Sequence, residues 1–227
     1  MARKLASRAN RISIGQDYFQ RIRECWRPVA KGKRIIPFCT PVIRRPTALV
    51  IGMNHSLFAA EAIAMTGPCE KRLKSDYVAE ELSKGVPTSH TYLSNTGKTF
   101  VSGLREVCRR ADITIDKKWV GTNRCGIQTG PDGLADLKKL SCFRQCQACM
   151  DEILRELVEV IRPRNVLLIG KYAAALYFPS GNIRDLKPQN RETKSGHAVR
   201  VIALQHPSYA TFWADAAKRL KKSFVRP

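Results

Sequence analysis

The side chains that could do chemistry in this chain lie in three short segments: GMNHS (52–56), TNRC (122–125) and HPSYA (206–210). Their amides, in Asn54 and Asn123, can orient a water molecule or read the hydrogen-bonding edge of a ligand. The imidazole of His206 can donate a hydrogen bond to a group that acquires negative charge. Alone, each would be weak evidence, because an asparagine in a turn is usually only a turn residue. Their value depends on whether the fold brings them together.

The strands and helices predicted around these segments indicate that the fold brings the three segments together. Four mainly apolar runs are predicted to be buried strands: 47–52, 117–123, 164–170 and 198–205. Helical patterns separate or follow them at 57–67, 100–111, 137–161 and 211–224, and the stretch 179–197 is predicted to be a polar loop. This alternation predicts a three-layer α/β/α fold with a central four-stranded parallel sheet. Ligands bind such sheets beyond the carboxyl ends of the strands, where all three segments fall.

The chain of 227 residues divides by composition at residue 46. Residues 1–46 are rich in arginine and lysine but also carry Tyr18, Phe19, Trp26 and Phe38, which indicates a basic extension that packs on the core. Residues 47–227 are predicted to form the α/β domain. A hydrophobic fraction of 44% is enough for a substantial core.

The net charge of +21 points to a polyanionic partner. Nucleic acid is the first candidate. An anionic membrane surface is weaker, since no basic helix with a clean apolar face is evident. No run approaches the roughly 20 apolar residues of a membrane span, and no secretory signal is recognisable. We therefore expect a monomer that is not secreted, and in a prokaryote a cytoplasmic, nucleoid-associated one.

Eight cysteines without a secretory signal indicate a reducing compartment, which leaves buried thiols or a metal site. Cys142, Cys146 and Cys149 have the C-x₃-C-x₂-C spacing of radical-SAM cluster ligands. However, they fall in a predicted helix, where positions i, i+4 and i+7 share one face. The favoured interpretation is three small side chains that face the core.

Four segments in order resemble the uracil-DNA glycosylase superfamily, over residues 47–224. ALVIGMNHS resembles its motif A in the GMN form, and VIALQHPSYAT resembles its motif B. Residues 97–113 are similar to the segment of the iron–sulfur branch that bears a base-stacking aromatic, and 149–170 to that branch's helix–proline–strand segment.

The resemblance implies a DNA glycosylase that flips out uracil or a related deaminated base and hydrolyses its N-glycosidic bond, which initiates base-excision repair. By the same resemblance, Asn54 positions the attacking water and His206 donates a hydrogen bond to the leaving base. Base-binding residues would be Met53, Ser56, Phe100 and Asn123, and phosphate contacts would come from Ser208, Lys218 and Arg219.

Two features depart from the family pattern. His55 stands where motif A usually has proline, and Ser56 stands where the uracil-only branch has a bulky tyrosine. Ser56 suggests a wider range of bases, such as hypoxanthine, xanthine or 5-substituted uracils. The altered motif also leaves an alternative open, a nucleic-acid-binding protein that keeps the fold with weak or no catalysis.

The chemistry itself requires no cofactor. The iron–sulfur branch carries a [4Fe–4S] cluster, and here the candidate ligands are Cys25, Cys39, Cys125 and Cys149. The N-terminal C-x₂-C pair of that branch is absent, and Cys25 and Cys39 are more widely spaced. By resemblance, a cluster here would serve structure and DNA binding.

Overall fold

The computed structural model of the chain describes residues 14, 17, 18, 20–30, 35 and 38 in the N-terminal part. From there it describes 42–53, 100–113, 118–127, 133–207 and 210–226.

Within these ranges, five strands form one sheet: β1 (Ala48–Gly52), β2 (Trp119–Asn123), β3 (Asn165–Ile169), β4 (Gln189–Glu192) and β5 (Ala198–Leu204). The strand order is β2-β1-β3-β5-β4. The pairs β1–β2, β1–β3 and β3–β5 are parallel, and β4 pairs with β5 in the antiparallel sense. β1, β2 and β3 are buried along their whole length, as their apolar sequences predict.

The α/β fold with its parallel core sheet is confirmed, but the predicted number of strands was one too low. β4 lies inside the stretch 179–197, which was predicted to be a polar loop. Its sequence, QNRE, is mostly exposed and has no apolar alternation. The strand forms because its backbone pairs with β5, and a polar edge strand of this kind leaves no signal in the sequence.

The helices of the described ranges are α1 (Phe100–Arg110), α2 (Gly133–Lys138), α3 (Phe143–Ile161), α4 (Gly170–Ala174) and α5 (Trp213–Ser223), with a 3₁₀ turn at Ala210–Phe212. The pattern predicted as one helix over 137–161 is divided between α2 and α3. α3 buries Ile153, Leu154 and Leu157 on one face. It ends at Arg162, which adopts a left-handed conformation (φ 51°) just before Pro163.

Two apolar clusters cover the two faces of the sheet. On one face, α1 and α5 pack on side chains such as Val50, Leu167 and Ile202. On the other face, α3 packs together with the N-terminal segment. The carboxyl ends of β1, β2 and β5 lie at the edge of the sheet where the three polar segments begin.

Residues 20–30 of the N-terminal segment are helical. Ile22 and Trp26 are fully buried, and Tyr18 and Phe38 nearly so, all in the cluster that contains α3. Isolated bridges from Ile35 to Ile127 and from Phe38 to Thr122 place this segment along the outer edge of β2. Phe19 lies outside the described residues, and the domain boundary at residue 46 stays a prediction.

In the described part of the chain, no helix combines the length and apolar character needed to cross a membrane.

Candidate active site

The end of β2 places the amide of Asn123 directly against the end of β1. Asn123 pairs with Gly52 in the parallel register and is 8% exposed. A Cβ on Gly52 would overlap Oδ1 of Asn123. The glycine therefore lets the amide lie over the β1 backbone, at the carboxyl edge of the sheet.

The same edge holds the start of motif A. The backbone N–H of Arg124 donates to the carbonyl of Gly52 at 3.0 Å, and that of Cys125 donates to the carbonyl of Met53 at 2.8 Å. Met53 is 37% exposed at this edge. Asn54, His55 and Ser56, which come next, lie outside the described residues, so the predicted water-positioning group and the Ser56 contact stay predictions.

A nearly buried ion pair anchors the residue after Asn123. Arg124 Nε and Nη2 donate to the two carboxylate oxygens of Asp151 at 2.7 and 2.5 Å, and Nη1 donates to the carbonyl of Tyr172 at 2.6 Å. The side chains of the pair are only 10% and 13% exposed. Gln147 also donates to Asp151. One guanidinium thus ties β2 to α3 and α4, and breaking such a pair costs about 3–5 kcal/mol because it leaves a buried charge.

His206 lies at the end of β5, half-buried, beside the start of α4. Gly170, with φ of +83°, is its neighbour, and a Cβ on it would lie 3.9 Å from the imidazole Cδ2, at ordinary van der Waals distance. Burial lowers the pKa of His206 below its ordinary value. The ring is therefore neutral at neutral pH and can donate through one nitrogen.

Two helices hold the turn that carries His206. The indole Nε1 of Trp213 donates to the carbonyl of Pro207 at 2.7 Å. Gly103 of α1 approaches the same carbonyl so closely that a Cβ there would overlap it. Backbone contact between α1 and the turn therefore fixes the position of His206.

The remaining predicted contacts are only partly described. Phe100 is the first residue of α1, and only its place in the helix is described. Ser208 lies outside the described residues. Lys218 is exposed on α5. Arg219 donates to the carbonyls of Leu186 and Arg184, so its guanidinium holds the loop before β4, which the sequence did not predict.

Three of the four candidate cluster ligands lie near one another, because Cys25 interacts with both Cys149 and Cys125. Cys25 and Cys125 are buried, while Cys149 is exposed and Cys39 lies outside the described ranges. Burial raises the pKa of Cys25 and raises that of Cys125 to about 11. The Cys25 thiol donates to the carbonyl of Cys146 at 3.0 Å. No group of three or more His, Cys, Asp or Glu side chains among the described residues could hold a metal ion.

The prediction that Cys142, Cys146 and Cys149 all face the core was wrong. Cys146 is buried, Cys142 is half-buried, and Cys149 is exposed. Cys142 precedes the first turn of α3 and caps it without a side-chain hydrogen bond. Cys142 and Cys149 therefore lie just outside the buried stripe of α3, and only Cys146 falls within it.

A family model of the uracil-DNA glycosylase superfamily matches residues 45–226, which include all three segments at the strand ends. The chain belongs to the uracil-DNA glycosylase superfamily. A search of curated proteins found no match to it. Superfamily membership carries, in general terms, a glycosylase-type function that acts on DNA.

In this superfamily member, sequence reasoning missed the residues that hold the site in place. Gly103 could have been noticed in the sequence, since glycine inside a helix lowers helix stability by about 1 kcal/mol and often marks a close approach of another backbone. Arg124 could also have been noticed, as a charged residue directly after a buried strand. Nothing in the sequence indicated its partner Asp151, which lies 27 positions further on.

Proposed function

We propose that the chain is a DNA glycosylase that hydrolyses the N-glycosidic bond of uracil or a related deaminated base in DNA. The observation that carries the proposal is that a half-buried His206 and the nearly buried amide of Asn123 lie at the same carboxyl edge of the sheet. β1 and β3 lie between the strands that carry these two residues, so the two strand ends are about 14 Å apart, at three spacings of about 4.8 Å.

In the proposed reaction, the bond between C1′ of the sugar and the base nitrogen breaks, and the base leaves with the electron pair as an anion. His206 donates a hydrogen bond to the base oxygen on which this charge develops. Asn54 orients a water molecule, whose oxygen bonds to C1′ and whose proton passes to solvent. An amide orients water but is a poor base, so we expect slower turnover than with aspartate at this position.

Asn123 would read the edge of the flipped base. Its amide has both a donor and an acceptor, and uracil and cytosine present different patterns to such a group. Met53, exposed beside it, and Ser56 and Phe100 would complete the base pocket. A small Ser56 supports a range of bases wider than uracil alone. Ser208, Lys218 and Arg219 remain the proposed phosphate contacts.

The test is excision from oligonucleotides that contain uracil, hypoxanthine or xanthine, with alkali used to cleave abasic sites. Asn54→Ala and His206→Ala should each slow excision, the latter by about 10²–10³-fold if the imidazole stabilises the leaving base. His197→Gln is the matched control, because His197 contacts the carbonyl of Pro163 near the opposite edge of the sheet.

Failure to cleave any of the three substrates would overturn the enzyme assignment. If the protein nevertheless binds these oligonucleotides, the alternative of a binding protein with the glycosylase fold would stand. Near-normal excision by both variants would instead show that the site is elsewhere.

A [4Fe–4S] cluster held by Cys25, Cys39, Cys125 and Cys149 stays a separate prediction. It would contribute to folding and DNA binding and take no part in the reaction. Iron and sulfide analysis of anaerobically purified protein tests it, and Cys149→Ser should lose both elements together. Protein that contains neither element would refute it.

A further inference from the structure

A cleft of about 500 Å³ runs along α5, outside the positions assigned to the flipped base. Its walls are α5 on one side and residues 183–188, which precede β4, on the other. Leu204 and Gln205 at the end of β5 form part of its floor. We call this feature the α5 cleft.

The α5 cleft is strongly basic. Its lining holds two carboxylates, Asp185 and Asp215, against five cations: Arg184, Lys187, Lys218, Arg219 and Lys222. The three lysines are exposed, and among the described residues none of them forms an ion pair with a carboxylate. Their charges are therefore available to an anionic ligand.

The walls are held together by structural contacts. Arg219 donates from α5 to the carbonyls of Leu186 and Arg184 across the cleft. The guanidinium carbon of Arg184 lies 5.3 Å from the centroid of the Phe212 ring, just before α5. The basic loop is thus fixed on α5, so the site is preformed and ordering it on binding costs little.

One end of the α5 cleft lies next to the candidate active site. α5 begins at Trp213, which donates to Pro207 next to His206. From Asp215 to Lys222 the helix advances about 10 Å, away from the carboxyl edge of the sheet. Gln205, the neighbour of His206, lines the cleft. A nucleic-acid strand that leaves the site on this side would enter the cleft directly.

We propose that the α5 cleft binds the sugar–phosphate backbone of a single strand that flanks the target nucleotide. Lysines in a row along a cleft suit a repeating phosphodiester, since each can neutralise one phosphate. Arg219 spans the two walls with a single side chain, so the groove between them suits one backbone better than the two of a duplex. That the neighbouring nucleotide is a target for excision rests on the proposed function. Binding of the strand in the α5 cleft does not rest on it.

The experiment measures binding of an undamaged single-stranded oligonucleotide at several salt concentrations, so no excision is needed. Lys218→Glu and Lys222→Glu should each weaken binding several-fold at low salt, and should reduce the slope of log K against log salt by about 0.7 for each phosphate that is no longer neutralised. Lys194→Glu is the matched control, an exposed lysine on the turn between β4 and β5. Asp215→Asn should tighten binding, because it removes a repelling charge.

Cleft variants that bind as the Lys194→Glu control does would overturn the proposal. Equal weakening of single-stranded and blunt duplex DNA would also overturn it, since a cleft for one backbone predicts a larger effect on the single strand. If the variants change binding as expected but the protein excises no base, only the proposed function is refuted.

Discussion

At the scale of single residues, burial of His206 has a consequence for stability as well as for chemistry. Its pKa is lowered in the folded protein, so below about pH 6.5 the unfolded state takes up a proton more readily than the folded state does. Protonation of His206 therefore lowers the stability of the fold as the pH falls through that range, and has no effect at higher pH.

We predict that His206→Asn makes the free energy of unfolding less dependent on pH between about 7.5 and 5.5. Urea denaturation of both proteins at the two pH values measures this. The other histidines are retained in both proteins, so the difference between the two curves reports His206. If the free energy of unfolding changed with pH by the same amount in both proteins, the imidazole would titrate normally in the folded state.

Gly52 offers a second test at this scale. Alanine there would overlap Oδ1 of Asn123, which is the end of a side chain and can rotate away. Gly52→Ala should thus leave thermal stability nearly unchanged and slow excision by about 100-fold, the typical effect of a misplacement near 1 Å.

Single-turnover excision measures this effect, and Asn123→Ala serves as its reference. The double variant should be no slower than Asn123→Ala alone, because both changes act on the same amide. Additive effects on the rate would show that Gly52 acts through something other than Asn123.

The sequence was informative about residues that follow apolar runs. Asn123, Met53 and His206 lie at or just after the end of a predicted strand, and the structure places them at the carboxyl edge of the sheet. Arg219 was not predictable in the same way. It donates to carbonyls at positions 184 and 186, and nothing about a basic residue on a helix indicates such distant acceptors.

At the scale of elements, the approach of α1 to the turn after β5 is the contact most sensitive to change. Alanine normally stabilises a helix by about 1 kcal/mol relative to glycine. At position 103, however, its Cβ would overlap the backbone carbonyl of Pro207, which cannot rotate away. The helix or the turn must therefore shift.

Gly103→Ala is expected to lower both the free energy of unfolding and the excision rate. Arg105→Ala is the control, since Arg105 is exposed on the same helix. Urea denaturation and single-turnover excision are the two measurements. A Gly103→Ala protein that is more stable than the wild type and equally active would contradict the close approach.

Strands with buried faces could be predicted, whereas β4 could not. β1 and β3 are short apolar runs that end at or before a glycine, a pattern that predicts a buried parallel strand. β4 has no buried face to leave a pattern. The break between α2 and α3 was missed because Leu137, Leu140 and Phe143 recur at intervals of three residues across it.

At the scale of the whole molecule, the family match begins at residue 45, but the hydrophobic core begins earlier. Ile22, Trp26 and Phe38 pack in the same cluster as α3, and Phe38 also bridges to the outer strand β2. The aromatic residues of the basic segment indicated packing, although not a helix or the edge of the sheet.

We therefore predict that a fragment of residues 45–227 aggregates, because it exposes the apolar face of α3 and the edge of β2. Size-exclusion chromatography and urea denaturation test this. In the full chain, Trp26→Ala should cost about 3–5 kcal/mol, while Arg27→Ala, exposed on the same helical segment, should cost little. A monomeric fragment with a cooperative unfolding transition would refute the prediction.

One buried side chain joins the two ends of the family-matched region. Asn165 donates to the carbonyls of Thr47 and Val225, each at 2.9 Å, and accepts from the backbone N–H of Val225. The entry to β1 and the exit from α5 are thus neighbours, at the edge of the sheet opposite His206. Such an arrangement suits circular permutation or insertion into a host protein through a short linker. A fusion partner attached after residue 226 would face away from His206 and the candidate active site.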